Sequence, residues 1–261
     1  MEKRRFGIVC FGRGIEKAWD LRCSAYGCWQ PTAYLEKLTP KGQHSGFRTH
    51  ELKLDSEDDN VVIAESYVNM MATKEIMAEF YRINSPPCLL VWAGGRPKYL
   101  EFEPSGINEG FVLLKEYENR FGKICLISPN LRVELSAQNK NTRDDLLQSL
   151  AMAKEMGLEE LIVVSIFLHL PRIGEFLYCA RKEAPQFNDI NVKLIASELI
   201  LLGKGRTSDL LLLDYPETGI GTSFDHLVWA RIVESPVYRR TAAREAKGIA
   251  DLRAGQYNFT N

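Results

Sequence analysis

A short apolar run followed by a stretch with helical spacing recurs along this chain, and that recurrence constrains its fold more than any other feature. Phe6–Phe11, Cys88–Ala93, Ile124–Ile127, Leu161–Ser165 and Val192–Ala196 are runs of strand length. Between them, apolar residues fall at helical intervals. The first stretch starts at Val61 and carries Ile63, Tyr67, Met70, Met77 and Tyr81, with acids Asp55–Asp59 ahead of it and Ser85-Pro86-Pro87 ending it. The second carries Ile107, Phe111, Leu114, Tyr117 and Phe121; the third, Leu146, Leu147, Leu150 and Ala153, stopping at Gly157; the fourth, Ile173, Phe176, Leu177 and Ala180. Strands buried on both faces, alternating with amphipathic helices, imply right-handed βαβ crossovers. The expected fold is α/β: a Rossmann-like, doubly wound parallel sheet with helices on both faces.

At 261 residues, with 45% hydrophobic and 26% charged residues, the chain can bury a substantial core. Residues 1–200 read as one Rossmann-like domain, with 13–60 as an irregular excursion near the site. Residues 201–261 read as a C-terminal extension packed on the same domain. In that extension Leu199–Leu202 and Leu210–Leu213 suit an edge strand or a buried helix, and Gly219-Ile-Gly221 a turn. Residues 224–253 suit helix broken near Pro236, with Arg239, Arg240, Arg244 and Lys247 on a basic face that reads as solvated or, more sharply, as an anion contact. The formal charge of -1 favours neither a broad nucleic-acid surface nor an anionic-membrane surface.

The cysteines Cys10, Cys88 and Cys125 lie in or beside apolar runs, where buried free thiols are expected. Met1-Glu-Lys-Arg-Arg leads directly into a short strand rather than a secretory leader, and no apolar run reaches the roughly 20 residues of a membrane span. These observations point to a reducing cytoplasmic compartment.

In doubly wound sheets ligands bind beyond the strand C-terminal ends, where helix N-termini present unpaired N–H groups. The polar and glycine clusters fall at such places. Gly12 and Gly14 follow the first run, but a third fingerprint glycine is missing. Gly94 and Gly95 follow the second, with Arg96 placed for an anion or for solvent. Asn141 and Thr142 open the third helix, and Thr142-x-x-Asp145 reads as a capping box in which Thr142 accepts from an amide. His169 stands four residues past Ser165 and before Pro171, suited to proton transfer or to a hydrogen-bonded, partly exposed loop position. Arg172 lies in a first helical turn, where a cation needs an anionic neighbour such as a ligand or Glu134. Glu109 and Glu134 could accept ribose hydroxyls, act as a base, or lie solvated.

Cys23 and Cys28 followed by His44 and His50 match no standard zinc spacing. A Gly-x-Ser-x-Gly elbow and a Walker Gly-Lys-Ser/Thr loop are both absent from the sequence.

The order Gly94-Gly95, then Glu134, then Asn141-Thr142 opening a helix, then Ser165-Ile-Phe-Leu-His169-Leu-Pro-Arg172 resembles the YdcF-like family, which includes the SanA and ElyC envelope proteins. The likeness spans roughly residues 88–182. Ser136 stands for the family serine, with Gln138–Lys140 lengthening the gap to Asn141. The resemblance implies a Rossmann-like sheet and, for a soluble member, binding of S-adenosylmethionine; envelope members imply a role in lipid-carrier or polysaccharide metabolism. The expected site is therefore a cradle of Gly12, Gly14, Gly94, Gly95, Arg96, Glu109, Asn141, Thr142, Ser165 and Arg172, with His169 and Glu134 as reactive groups. Three functions follow: binding of a small nucleotide-type ligand with enzymatic potential; hydrolysis or group transfer on a phosphorylated or sugar-linked substrate with His169 as acid/base; or a non-catalytic interaction module.

Overall fold

The computed structural model describes residues 5–17, 29–32, 35–37, 53–96, 107–124, 128–136, 139, 141–203 and 232–256. Its centre is a parallel sheet of five strands: β1 (Phe6–Phe11), β6 (Leu89–Ala93), β7 (Arg132–Leu135), β8 (Glu160–Ser165) and β9 (Asn191–Ala196), in the order β7-β6-β1-β8-β9. Val9 pairs with Val91 on one side and Val163 on the other. The order reverses at β1, so a crevice opens beyond the C-terminal ends of β1 and β8.

Alternation within the strands divides the core. Ile8, Cys10, Leu90, Trp92, Ile162 and Val164 face one layer, which holds α1 (Ser66–Arg82) and α2 (Glu109–Phe121). Val9, Phe11, Val91, Leu161 and Val163 face the other, which holds α3 (Thr142–Glu155) and α4 (Leu170–Glu183). The helices cover both faces, so the chain has an α/β, Rossmann-like fold. Among α4 residues Ile173, Phe176, Leu177 and Ala180 are buried, as their spacing predicts. Gly157, at φ +61, follows the last turn of α3 in the left-handed region that glycine adopts without strain.

Two elements depart from expectation. Ile124 is helical and buried beside Tyr117 and Leu131, not in the sheet, and Cys125–Ile127 lie outside the described residues. The strand at that edge is Arg132–Leu135, half-exposed and alternating charged with apolar residues. An edge strand has one neighbour and a wetter face, so a search for continuous apolar runs passes it over. The second departure is Val61–Ile63, a strand (β5) antiparallel to β4 (Leu35–Lys37) rather than the first turn of a helix. Its β-branched residues suit a strand, and α1 starts only at Ser66.

Within residues 13–60, β2 (Ile15–Lys17) pairs antiparallel with β3 (Trp29–Pro31), and Ile15 and Trp29 pack on Val112 of α2. Beyond the sheet, Ser197–Gly203 is a helix, α5. The C-terminal helix α6 (Pro236–Arg253) packs on β5 and α4. Leu210–Leu213, Gly219–Gly221 and residues 224–231 lie outside the described residues. No described helix is long and apolar enough to cross a membrane.

Candidate active site

Strand β6 is followed by a glycine pair whose carbonyls serve α2. Gly95 O accepts from Glu109 N at 3.0 Å and Gly94 O from Gly110 N at 2.9 Å, pairing two amides that the first turn leaves open. Gly94 has φ +146, outside the range of residues with a Cβ. A Cβ on Gly95 would overlap the carbonyl of Asn139, so this glycine admits the neighbouring chain. Arg96 Nη1 reaches Ile107 O at 3.4 Å.

Asn141, in extended conformation, caps α3: its Oδ1 accepts from Asp144 N at 3.0 Å. Thr142 is therefore the first helical residue and not the capping group expected from Thr142-x-x-Asp145. Its hydroxyl instead lies 3.2 Å from Nε2 of His169.

His169 closes a short 3-10 turn, Phe167–His169, which is held by Phe167 N donating to both oxygens of Glu198 at 3.0 Å. The ring is only 1% exposed, where a partly exposed junction side chain was expected. The reason is α6, which covers it: Glu245 Oε2 and Arg13 Nη1 each lie 3.2 Å from Nδ1. Glu245 also pairs with Arg13 Nη2 at 3.0 Å and with Arg172 Nε at 2.8 Å. Arg172 thus has its anionic neighbour, but it is Glu245 and not Glu134. Gly248 leaves room for that guanidinium, since a Cβ there would lie 2.6 Å from Arg172 Nη2.

These surroundings set the charge states. Burial, then the Arg13 cation, lowers the His169 pKa to about 4, against the opposing pull of Glu245, so the ring is neutral at neutral pH. Burial alone would raise the Glu245 carboxyl, but Arg13, His169 and Arg172 outweigh it and hold the group well below the usual carboxylate range. Asp145 moves the other way. Burial raises it to about 7, although Asn139 Nδ2 donates to its Oδ1 at 2.9 Å and favours the charged form.

Together these groups enclose a cavity of about 440 Å³ beyond the sheet's C-terminal edge. Gly12, Gly14, Gly95, Arg96, Glu109, Asn141, Thr142 and Arg172 all line it. Gly94 stands behind this wall, against Glu109. His169 lies one side chain deeper, behind Thr142. Ser165 is fully buried at the end of β8, and its Oγ has no hydrogen-bond partner among the described residues. Glu134 does not join the site: it sits on the edge strand β7, 2.6 Å from Arg132 Nε.

The lining also includes Arg13, Asp145, Thr241 and Glu245, which were not among the expected site residues, Arg244 from the basic face, and Val62–Ala64. One signal for the C-terminal group was present. Val237, Thr241 and Glu245 recur every four residues, the buried stripe of α6, so a carboxylate falls where an apolar residue belongs. Four guanidiniums, of Arg13, Arg96, Arg172 and Arg244, meet three carboxyls, of Glu109, Asp145 and Glu245. With Asp145 partly protonated at neutral pH, the wall favours an anion.

Among the described residues no group of three or more His, Cys, Asp or Glu side chains is placed to hold a metal ion. Cys23, Cys28, His44 and His50 lie outside them. The chain matches no family model, no curated protein and no solved structure.

Proposed function

We propose that this chain binds a small, phosphorylated, nucleotide-type ligand in the cavity beyond β1, β6 and β8. The observation that carries the reading is the convergence of Arg13, Arg172 and Arg244 with the capped N-terminus of α3 on one 440 Å³ space. Guanidinium forks and helix-terminal amides are the groups that recognise phosphate oxygens. The position at the strand-order reversal is where such sheets hold nucleotides.

The resemblance to the YdcF-like family supports a ligand in this place and offers S-adenosylmethionine as the rival. The lining favours phosphate. A sulfonium cation would face the same guanidiniums, whereas Glu245 is already engaged by two of them. Group-transfer chemistry on a phosphorylated substrate is the natural extension of such a site.

Titration calorimetry of the full chain with ADP, pyrophosphate and S-adenosylmethionine tests this. ADP or pyrophosphate should bind, and Arg244→Gln should weaken that binding by about tenfold or more, the cost of one charge-assisted hydrogen bond. Binding of S-adenosylmethionine alone, or of none of the three, would overturn the reading.

A further inference from the structure

We infer that Thr142, His169 and Glu245 form a hydroxyl–imidazole–carboxylate relay that makes the Thr142 hydroxyl a nucleophile toward a phosphoanhydride bound in the cavity. The inference rests on the cavity being a phosphate site.

The geometry is that of an activated hydroxyl. Thr142 Oγ1 is 3.2 Å from Nε2 of His169, and Nδ1 of the same ring is 3.2 Å from Glu245 Oε2. A nucleophile within reach of a base, with that base held by a third group, is the general pattern of such sites. The three residues come from α3, the β8–α4 turn and α6, so only the tertiary fold assembles them. Thr142 opens onto the cavity while His169 is shut away behind it. Burial keeps the ring neutral, and with Arg13 it also weakens the ring as a base, a loss that Glu245 opposes. Glu245, held ionised by Arg13 and Arg172, is the acceptor that places the ring proton on Nδ1 and leaves the Nε2 lone pair for Thr142.

Arg13 Nη1 also touches Nδ1, at 3.2 Å, and as a donor it selects the opposite tautomer. Arg13 lines the cavity. An anion bound there draws its guanidinium from the ring, and Nδ1–H then turns to Glu245. Substrate binding would thus switch the relay on.

The step balances without a further co-reactant than water. Thr142 Oγ1 attacks the terminal phosphorus, and its proton passes to His169 Nε2. The P–O bond of the anhydride breaks, and its electron pair leaves with the departing phosphate or carboxylate, an anion that needs no proton. Water then attacks the phosphothreonine. The Thr142 oxygen leaves and recovers its proton from His169, and the water's proton goes to phosphate or solvent. Arg172 and Arg244 face the non-bridging oxygens. The net reaction is hydrolysis of a phosphoanhydride such as a nucleoside diphosphate.

The test uses acetyl phosphate, a minimal phosphoanhydride, and ADP, with the full-length chain in magnesium-containing buffer. Peptide mass mapping should find one phosphoryl group at position 142 in the wild type and in Thr142→Ser. Thr142→Val should take none, and His169→Gln should label about 10²–10⁴ times more slowly. Melting curves of Thr142→Val and Thr142→Ser identify any failure to fold, and the pair preserves the test if His169→Gln is unstable. Absence of Thr142 phosphorylation in the wild type, or equal labelling in His169→Gln, overturns the relay. If calorimetry then still shows ADP bound, the ligand reading stands and only the relay falls.

Discussion

The two walls of the cavity are built on different physics. The sheet wall, Gly12, Gly95, Asn141 and Thr142, is local structure: turns that follow strands and a cap that opens a helix. Most hydrogen bonds there join groups close in sequence or adjacent in the sheet, such as Asn141 Oδ1 to Asp144 N, and Thr142 Oγ1 to His169 Nε2 is the contact that reaches further. The α6 wall, Thr241, Arg244 and Glu245, is bound across the chain. Glu245 reaches Arg13 and Arg172, Thr241 accepts from Ile63 N at 2.9 Å, and Arg240 and Arg244 hold backbone carbonyls of Ser56, Asp58 and Asp59. A basic face that reads as solvated is in fact partly used to hold the 53–60 segment. The sheet wall should therefore fail piece by piece, and the α6 wall as a unit.

The largest expected effect is at Glu245. Glu245→Ala leaves Arg13 and Arg172 beside a neutral His169 with no carboxylate between them. Removing one partner of a buried pair should cost about 3 kcal/mol or more, read by urea unfolding. A loss below about 1 kcal/mol would mean that the arginines find water in the cavity and that the wall is not a unit.

Thr241→Val comes next. It keeps the shape but strands the buried Ile63 amide, a cost of about 1–3 kcal/mol. Hydrogen exchange should show the loss as faster opening of β5, with the β1–β8 ladder unchanged. Uniform acceleration across the sheet would erase the distinction between the walls.

On the sheet wall, Asn141→Ala removes one cap and should cost about 0.5–2 kcal/mol. Thermal melting measures it. In the double variant with Glu245→Ala, the two losses should add, because the cap and the ion pair share no partner; strong coupling would show that α3 and α6 move together.

The effect that is smallest at neutral pH is a pH slope. His169 has a folded pKa of about 4, below its unfolded value of about 6.5, so the unfolded chain binds the proton more readily between them. The stability of wild type relative to His169→Gln should be fully present above pH 6.5 and decline as pH falls toward 4. Arg13, Arg172 and Glu245 are the charges that face the ring. An advantage that grows on acidification would show instead that His169 and Glu245 meet as a charged pair.

Much of the fold was legible before the structure. The runs at Phe6–Phe11 and Leu161–Ser165 are central strands buried on both faces, and such strands carry nearly continuous apolar sequence. Gly94–Gly95, Asn141–Thr142 and Arg172 reach the cavity region because parallel strands deliver their following loops to one edge, a consequence of topology that needs no side-chain detail. Arg132–Leu135 was hidden because an edge strand need not be apolar, and Val61–Ile63 because a short apolar run fits both periods. Glu134 was misplaced with its strand: at the sheet margin it pairs with Arg132 instead of facing a ligand.

By itself, the sequence determined the alternation of strand and helix, and with it the edge at which the glycines and helix N-termini gather. Those are consequences of short-range periodicity and of the handedness of βαβ units. The tertiary structure alone decided what faces them. Glu245 stands 76 residues from His169, and no local pattern specifies which cation or ring a distant carboxylate meets. That choice is made by packing: the buried stripe of α6 seats Val237 and Thr241 in apolar and hydrogen-bonded contacts, and the same helical period carries Glu245 into the gap between Arg13, His169 and Arg172.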